Sequence, residues 1–312
     1  MDDTTRIMLD LNAGPENALA VLLAARSPRF TLEGITSVFG TSGAEEGARN
    51  ALLLAELAAP DRDIPVAIGA AAPLLRECKP AGAGGWALPE PKRKPVPASA
   101  AELIVERLNR HRGRITLICC GPLTNVALAL VQDPGIADKA KRLVIAGGAL
   151  KAPGDVTPVS ERNLWSDPEA AFRVFRSGIP ITLLGLDVTR EAALPPELLR
   201  SLVKESDAVA DFLEQIIRTR TSIRGTGTSS GIPAGDALAV AVAADPGLVE
   251  TEGFSVMIEI KGTVSRGATL VDLRKGLRPT VHNCDSALKV NNGRLAAGWT
   301  ELMSRAAKGG AR

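Results

Sequence analysis

Apolar residues recur along the chain with two spacings, and their alternation predicts the architecture. Short runs at Ile7–Leu11, Phe30–Val38, Ile64–Ile68, Ile115–Cys120, Leu143–Ala146 and Ile181–Leu186 read as strands. Between them lie helical segments at Pro15–Arg26, Ala44–Ala58, Ala98–His111, Asn125–Val131, Pro168–Arg176, Pro196–Arg220 and Asp236–Ala244. Strands that alternate with helices predict an α/β fold, a mostly parallel central sheet with helices on both faces. Past Gly253 the pattern changes. FSVMIEI and ATLVDL, separated by KGTVSRG, predict a small antiparallel addition near the C-terminus, followed by a helix from Leu295 to Ala307. The Gly- and Pro-rich piece from Lys79 to Pro97 reads as a long loop, and the whole is expected to form a single domain over residues 1–312.

The stretch IMLDLNAGPENALAVLLAAR places polar groups where the first strand hands over to the first helix. Alternation along the strand points Asp10 and Asn12 to one side. Ala13-Gly14 breaks the strand, Pro15 suits the first helical position, and Glu16 suits the positive end of the helix. Asp10, Asn12, Glu16 and Asn17 are therefore expected to crowd one crevice at the carboxyl end of a strand, where open α/β sheets bind ligands. Three helices begin alike, at Glu16-Asn17-Ala18, Thr124-Asn125-Val126 and Gly235-Asp236-Ala237, each polar and then rich in small residues. If their starts converge, N–H groups and polar side chains focus on one point.

Composition narrows the partners. Of 312 residues, 45% are hydrophobic but only 3% aromatic, with no Tyr, so the core is expected to consist of Ala, Leu, Val and Ile, and base-stacking platforms for nucleic acid are not expected. A net charge of +2, from 37 basic and 35 acidic residues, gives no field that would draw nucleic acid or an anionic membrane. Small molecules or further copies of the chain are the expected partners. The start, MDDTTR, lacks the basic and apolar order of a secretory signal, and no apolar run reaches the roughly 18 residues of a span. A cytoplasmic location is expected. Cys78, Cys119, Cys120 and Cys284 show no metal-type spacing with His111 and His282. Cys119 and Cys120 end an apolar strand and read as small core residues, whereas His111, in NRHRGR, is expected at the solvent-exposed end of a helix.

From Met8 to about Asp272 the sequence resembles the inosine-uridine preferring nucleoside hydrolases. The carriers, besides the first strand and helix, are GITSVFG followed by RNALLLAEL, IPVAIGAAAPLL, ITLICCGPLTNVALAL, VIAGGAL, GDVTPVSERNLWSDPEAA, GIPITLLGLDVT, GDALAVA and SRGATLVD, in this order and spacing. The resemblance implies the nucleoside-hydrolase fold, a homo-oligomer, and cleavage of the N-glycosidic bond of ribonucleosides by water, with a calcium ion that holds the ribose hydroxyls and the attacking water.

Carried onto this chain, the first carboxylate is Asp10. The usual metal ligand and general base falls on Asn12, the adjacent acidic pair on Glu16 and Asn17, and an asparagine of the family on Thr41. The backbone-carbonyl metal ligand falls on Thr124 and the final metal carboxylate on Asp236, which also belongs to the substrate-binding set with Glu16, Asp155, Glu161 and Asn163. The resemblance thus implies Asp10, Asn12 and Glu16 as catalytic positions and Asn12, Asn17, Thr124 and Asp236 as a degenerate metal set. An amide at position 12 accepts no proton at neutral pH, and two amides lower the ligand charge on which calcium affinity depends, so calcium is expected to bind weakly or not at all. Gly235 stands where purine-preferring members place a histidine that acts on the leaving base.

Glu161 and Asn163 are expected to point the same way if SERNLW is extended. Arg162 reads as a surface charge and Asp187 as a strand-end hydrogen-bonding residue. Trp86 and Trp165 are candidates for stacking on a base or for core packing. The primary reading is a hydrolase of nucleosides or related N-ribosyl compounds with altered metal and base chemistry. The alternatives are a catalytically impaired binding or regulatory protein that keeps the pocket for a small ribosyl ligand, and a structural subunit that assembles with an active relative.

Overall fold

Apolar runs with no polar face become central strands. ITLICC, buried at every residue, lies inside an eight-stranded sheet. The computed structural model of the chain describes residues 4–14, 17–76, 89–201, 209–222, 231–274 and 279–304. Its strands are β1 (Thr5–Leu11), β2 (Phe30–Ser37), β3 (Val66–Ala67), β4 (Ile115–Cys120), β5 (Arg142–Ala146), β6 (Ile181–Leu184), β7 (Ala193–Leu194), β8 (Ile232–Pro233), β9 (Val249–Phe254), β10 (Met257–Ile258), β11 (Thr269–Leu270) and β12 (Cys284–Val290). The helices are α1 (Ala18–Arg26), α2 (Ala44–Ala58), α3 (Ala100–Arg110), α4 (Thr124–Gln132), α5 (Arg162–Ser166), α6 (Pro168–Phe175), α7 (Leu186–Thr189), α8 (Pro196–Ser201), α9 (Ala210–Ser222), α10 (Ala237–Ala244) and α11 (Asn292–Ser304).

The main sheet runs β3-β2-β1-β4-β5-β6-β12-β9 and is parallel except for β9, which lies antiparallel to β12 at the edge. The chain winds outward from β1 to β3 and then returns to place β4 on the other side of β1. That reversal puts the topological switch point, the place where such sheets form their ligand crevice, at the carboxyl ends of β1 and β4. Ile7, Leu9 and Leu11 face one half of the core, with α1, α2 and α10. Met8, Leu117 and Cys119 face the other, with α3, α4 and α6. Helices α1 and α10 are buried nearly throughout, and their Ala-rich surfaces pack directly on one another.

The structure amends several expectations. The first helix starts at Ala18, with Pro15 and Glu16 outside the described residues. The helix expected over Pro196–Arg220 is described as α8 and α9, and residues 202–208 between them lie outside the description. The antiparallel addition narrows to β10 with β11. Strands β9 and β12 join the sheet without a strong apolar pattern: edge strand VETEGF is half polar because one side lacks a neighbour. Of the long loop, only residues 89–97 are described, with Val96 bridging Ala67. In β2 the register with β1 shifts between Ile7 and Met8, leaving Glu33 as the unopposed residue of a bulge. Among the described residues no helix is long and apolar enough to cross a membrane.

Candidate active site

β1 carries Asp10 to the crevice on the side of the sheet that Met8 and α4 share. The carboxylate is fully buried. Its Oδ1 accepts from Thr36 Oγ1 at 2.6 Å and from Asn125 Nδ2 at 2.7 Å, whereas Oδ2 has no hydrogen-bond partner. Burial raises the Asp10 pKa to about 6, against the opposing pull of Asn125 and Thr36. Asn125 also donates to the Ser37 carbonyl at 2.7 Å and accepts Ala70 N–H at 2.8 Å, so its partners fix which way the amide faces. In the sequence Asn125 stands out only as part of a helix start. A buried amide in the first turn of an otherwise apolar helix was the available signal.

Beyond β1 the backbone turns sharply, with Ala13 at φ 44°, a left-handed conformation that costs a non-glycine residue roughly 1 kcal/mol. Asn12 is buried beside this turn, and its Oδ1 accepts Gly14 N–H at 3.3 Å. It is clasped by glycines: a Cβ on Gly40 would lie 2.6 Å from Asn12 Nδ2, and one on Gly47 2.8 Å from its carbonyl oxygen. Asn17, just before α1, accepts Gly14 N–H at 3.1 Å and donates from Nδ2 to Asp236 Oδ2 and, at 3.3 Å, to the Cys120 carbonyl. The starts of α1 and α10 therefore meet at the carboxyl end of β4. Asp10 and Asp236 both bear on the Cys120 thiol there, pushing it up in the same direction as its burial. The starts of these two helices thus converge as the repeated sequence pattern suggested, and that of α4 joins them through Asn125 and Asp10.

Further along the same sheet edge, Glu161 caps α5, accepting Asn163 N–H at 2.8 Å and Leu164 N–H at 3.1 Å. It also takes Gly148 N–H at 2.9 Å, beyond the end of β5. Burial lifts its pKa to about 7; the three N–H groups pull the other way, and the nearby charge of Asp155 adds to the rise. Asn163 Nδ2 donates to the Ala146 carbonyl at 3.0 Å. The segment is thus a helix start rather than the extended piece expected, because a carboxylate that caps two amides requires that turn. Asp155 and Arg162 are exposed, the latter as expected for a surface charge, and Trp165 is half-buried. Asp187 collects three backbone N–H groups, of Leu150, Lys151 and Ala152, at 2.7–2.9 Å, from the first turn of α7 rather than from a strand end.

Thr124 is buried, and its hydroxyl donates to Asp167 Oδ2 at 2.7 Å. Asp167, unremarked in the sequence, also accepts Leu74 N–H and Ala170 N–H, each at 3.0 Å, and its pKa is raised by burial. It ties the loop after β3 to the starts of α4 and α6. Thr41 is half-buried, while Glu16 and Trp86 lie outside the described residues. Cys119 and Cys120 are buried as expected, their thiols pushed well up by burial. His111 is not freely exposed: its Nε2 faces Glu33 Oε2 at 3.3 Å, away from the crevice.

Calcium takes six to eight oxygen ligands, several of them charged. The described residues do not supply them. Asn17 turns its N–H group toward Asp236, Asn12 Oδ1 is engaged by Gly14, and no group of three or more His, Cys, Asp or Glu side chains among the described residues gathers to hold a metal. As arranged, the site does not fit the ion.

Comparison with known proteins finds nucleoside hydrolases both by sequence and by structure. The chain is 38% identical over 278 residues to pyrimidine-specific ribonucleoside hydrolase RihA of Salmonella enteritidis, covering 85% of this chain and 88% of the relative. It is 38% identical over 205 residues to uridine nucleosidase 1 of Arabidopsis thaliana, a match to 63% of this chain that spans only 61% of the plant protein's length. Among solved structures, a purine-preferring ribonucleoside hydrolase from Gardnerella vaginalis superposes with a TM-score of 0.84 at 31% identity, covering 97% of this chain and 99% of that one. A plant nucleoside hydrolase superposes with the same score at 26% identity, covering 96% and 99%. The model of the inosine-uridine preferring nucleoside hydrolases matches residues 7–297, and the chain belongs to that family.

Proposed function

We propose that the protein hydrolyses the N-glycosidic bond of ribonucleosides or related N-ribosyl compounds, with Asp10 in place of Asn12 as the base. The observation that carries this reading is the buried Asp10 carboxylate at the switch point, one oxygen held by Thr36 and Asn125 and the other unpartnered. A base has to be placed and poised near neutral pH, and Asp10 has both properties. Thr36 and Asn125 fix its orientation. Its unpartnered Oδ2 takes the proton of a water that attacks the anomeric carbon as the N-glycosidic bond breaks; the base leaves with the bonding pair and takes a proton from solvent, and the Asp236 carboxylate favours the oxocarbenium-like transition state. Glu161, Asn163 and Asp155 form the ribose side of the site, the set to which the family resemblance also assigns Glu16. Asn12, clasped by Gly40 and Gly47, orients ligand and transfers no proton. The names of the relatives support a pyrimidine or purine ribonucleoside as substrate. A homo-oligomer in the cytoplasm belongs to the same reading.

A second reading has one observation in its favour: amides at positions 12 and 17 leave a pocket able to bind a ribosyl ligand without turning it over. Incubation of purified protein with a panel of purine and pyrimidine ribonucleosides, with free ribose as readout, separates the two. The hydrolase reading expects release that Asp10→Ala abolishes. Ligand binding with no release across the panel leaves the binding protein instead.

A further inference from the structure

Asn17 sits where a side-chain carboxylate would meet Asp236. Its nitrogen bridges Asp236 Oδ2 and the Cys120 carbonyl, and its oxygen accepts Gly14 N–H. Turning the amide over would set oxygen against a carboxylate and a carbonyl, and N–H against N–H, so three contacts fix its orientation. An aspartate at position 17 would present only acceptors to the same two oxygens. Facing carboxylates need a shared proton or a bound cation between them, and near neutral pH a cation meets that need without protonating either.

We infer that the Asn17 amide performs in this chain the structural task of a bound cation, holding the Asp236 carboxylate to the end of β4 so that the crevice is assembled without metal. The inference rests on the reading of the crevice as a ribosyl site and adds to it metal independence, with Asn17 as the positioning residue. Charge is consistent with the exchange. Amides at positions 12 and 17 carry two fewer negative charges than a pair of carboxylates, the same charge that a divalent cation would neutralise. The crevice keeps Asp10 and Asp236, and with them the field that suits a cationic transition state, whether or not metal is present. Three backbone features complete the arrangement without an ion: the left-handed turn at Ala13, the Gly14 N–H it presents to Asn17, and the close passage of Gly121 beside Asn12 N.

The test uses the full chain and calcium itself as the probe. For the wild type, calorimetric titration is expected to show no saturable calcium binding, and the melting temperature is expected to be the same in EDTA as in about 5 mM calcium. Asn17→Asp is expected to melt lower in EDTA by about 4 °C or more and to recover most of the loss in calcium, whereas Asn17→Ala loses stability that calcium does not restore. Saturable binding to the wild type would overturn the inference, as would an Asn17→Asp protein that is as stable as the wild type and indifferent to calcium. Should Asn17→Asp fail to fold, the wild-type titration still decides. Ribose release, assayed in parallel, keeps the two claims apart. Turnover that requires calcium removes metal independence and leaves the hydrolase, whereas a metal-indifferent protein without turnover does the reverse.

Discussion

In the proposed mechanism Asp10 is the base: burial sets its protonation while two neighbours, Thr36 and Asn125, set its direction. With its pKa near 6, the fraction able to accept a proton grows through the acid range, so ribose release should rise about tenfold per pH unit below 6 and level off above about 7. Asp10→Asn should lower the rate by about 10²- to 10⁴-fold and remove that limb, measured as initial rates from pH 4.5 to 8.5. The same shift acts on stability with a definite sign. A carboxyl whose folded pKa lies above the ordinary value of about 4 binds more protons folded than unfolded, so the stability it contributes is full below about pH 4 and is lost as pH rises through about 6. Asp10→Asn should therefore flatten urea-unfolding stability between those limits; a steeper slope in the variant would refute the assignment. Glu161 extends the same trend to about pH 7. At this scale the sequence pointed to Asp10, Asn17 and Asp236, since polar residues at the ends of apolar runs stand out. It did not point to Asn125 or Asp167 as partners. Asp10 meets Asn125 across 115 positions and Asn17 meets Asp236 across 219, and no local pattern encodes such pairs.

Elements hold the crevice open by letting backbones come close. Gly69, in the loop after β3, has no room for a side chain, because a Cβ there would collide with the Ser37 carbonyl and the Asn125 amide. Gly69→Ala is expected to cost about 1–3 kcal/mol in urea unfolding and to lower activity as well, since the clash moves the amide that steers Asp10. A variant that loses stability but keeps the wild-type pH profile would separate Asn125 from Asp10. Strands and helices with a strong apolar period were legible: Ile115–Cys120 and Ala44–Ala58 have the bounds the pattern predicts. Elements made by their ends were not. Helix α5 is short, and Glu161 defines it by capping two of its amides while binding Gly148, a tertiary choice that the polar SERNLW could not announce.

Across the whole molecule, polar groups also fasten a part of the sheet remote from the crevice. Glu33, only 8% exposed in the bulge of β2, is ion-paired with Arg6 and faces Arg107 at 3.9 Å and His111 at 3.3 Å. Glu33→Gln leaves the Arg6 guanidinium without this counter-charge and should cost about 1–2 kcal/mol by urea unfolding, discounted for partial exposure, with calcium response and pH–rate profile unchanged. A changed pH–rate profile would tie that network to the crevice. The sequence by itself determined the fold class, the order of the strongly apolar strands and helices, and the family, because apolar periodicity and turn residues act over a few positions and survive wide divergence. Only the tertiary structure decided the sense of each amide, the partners of Asp10, and the substitution of a hydrogen bond for a charge at Asn17. Those depend on which distant atoms burial brings within 3 Å or so, and in a desolvated crevice that proximity determines whether a group donates, accepts or holds a proton.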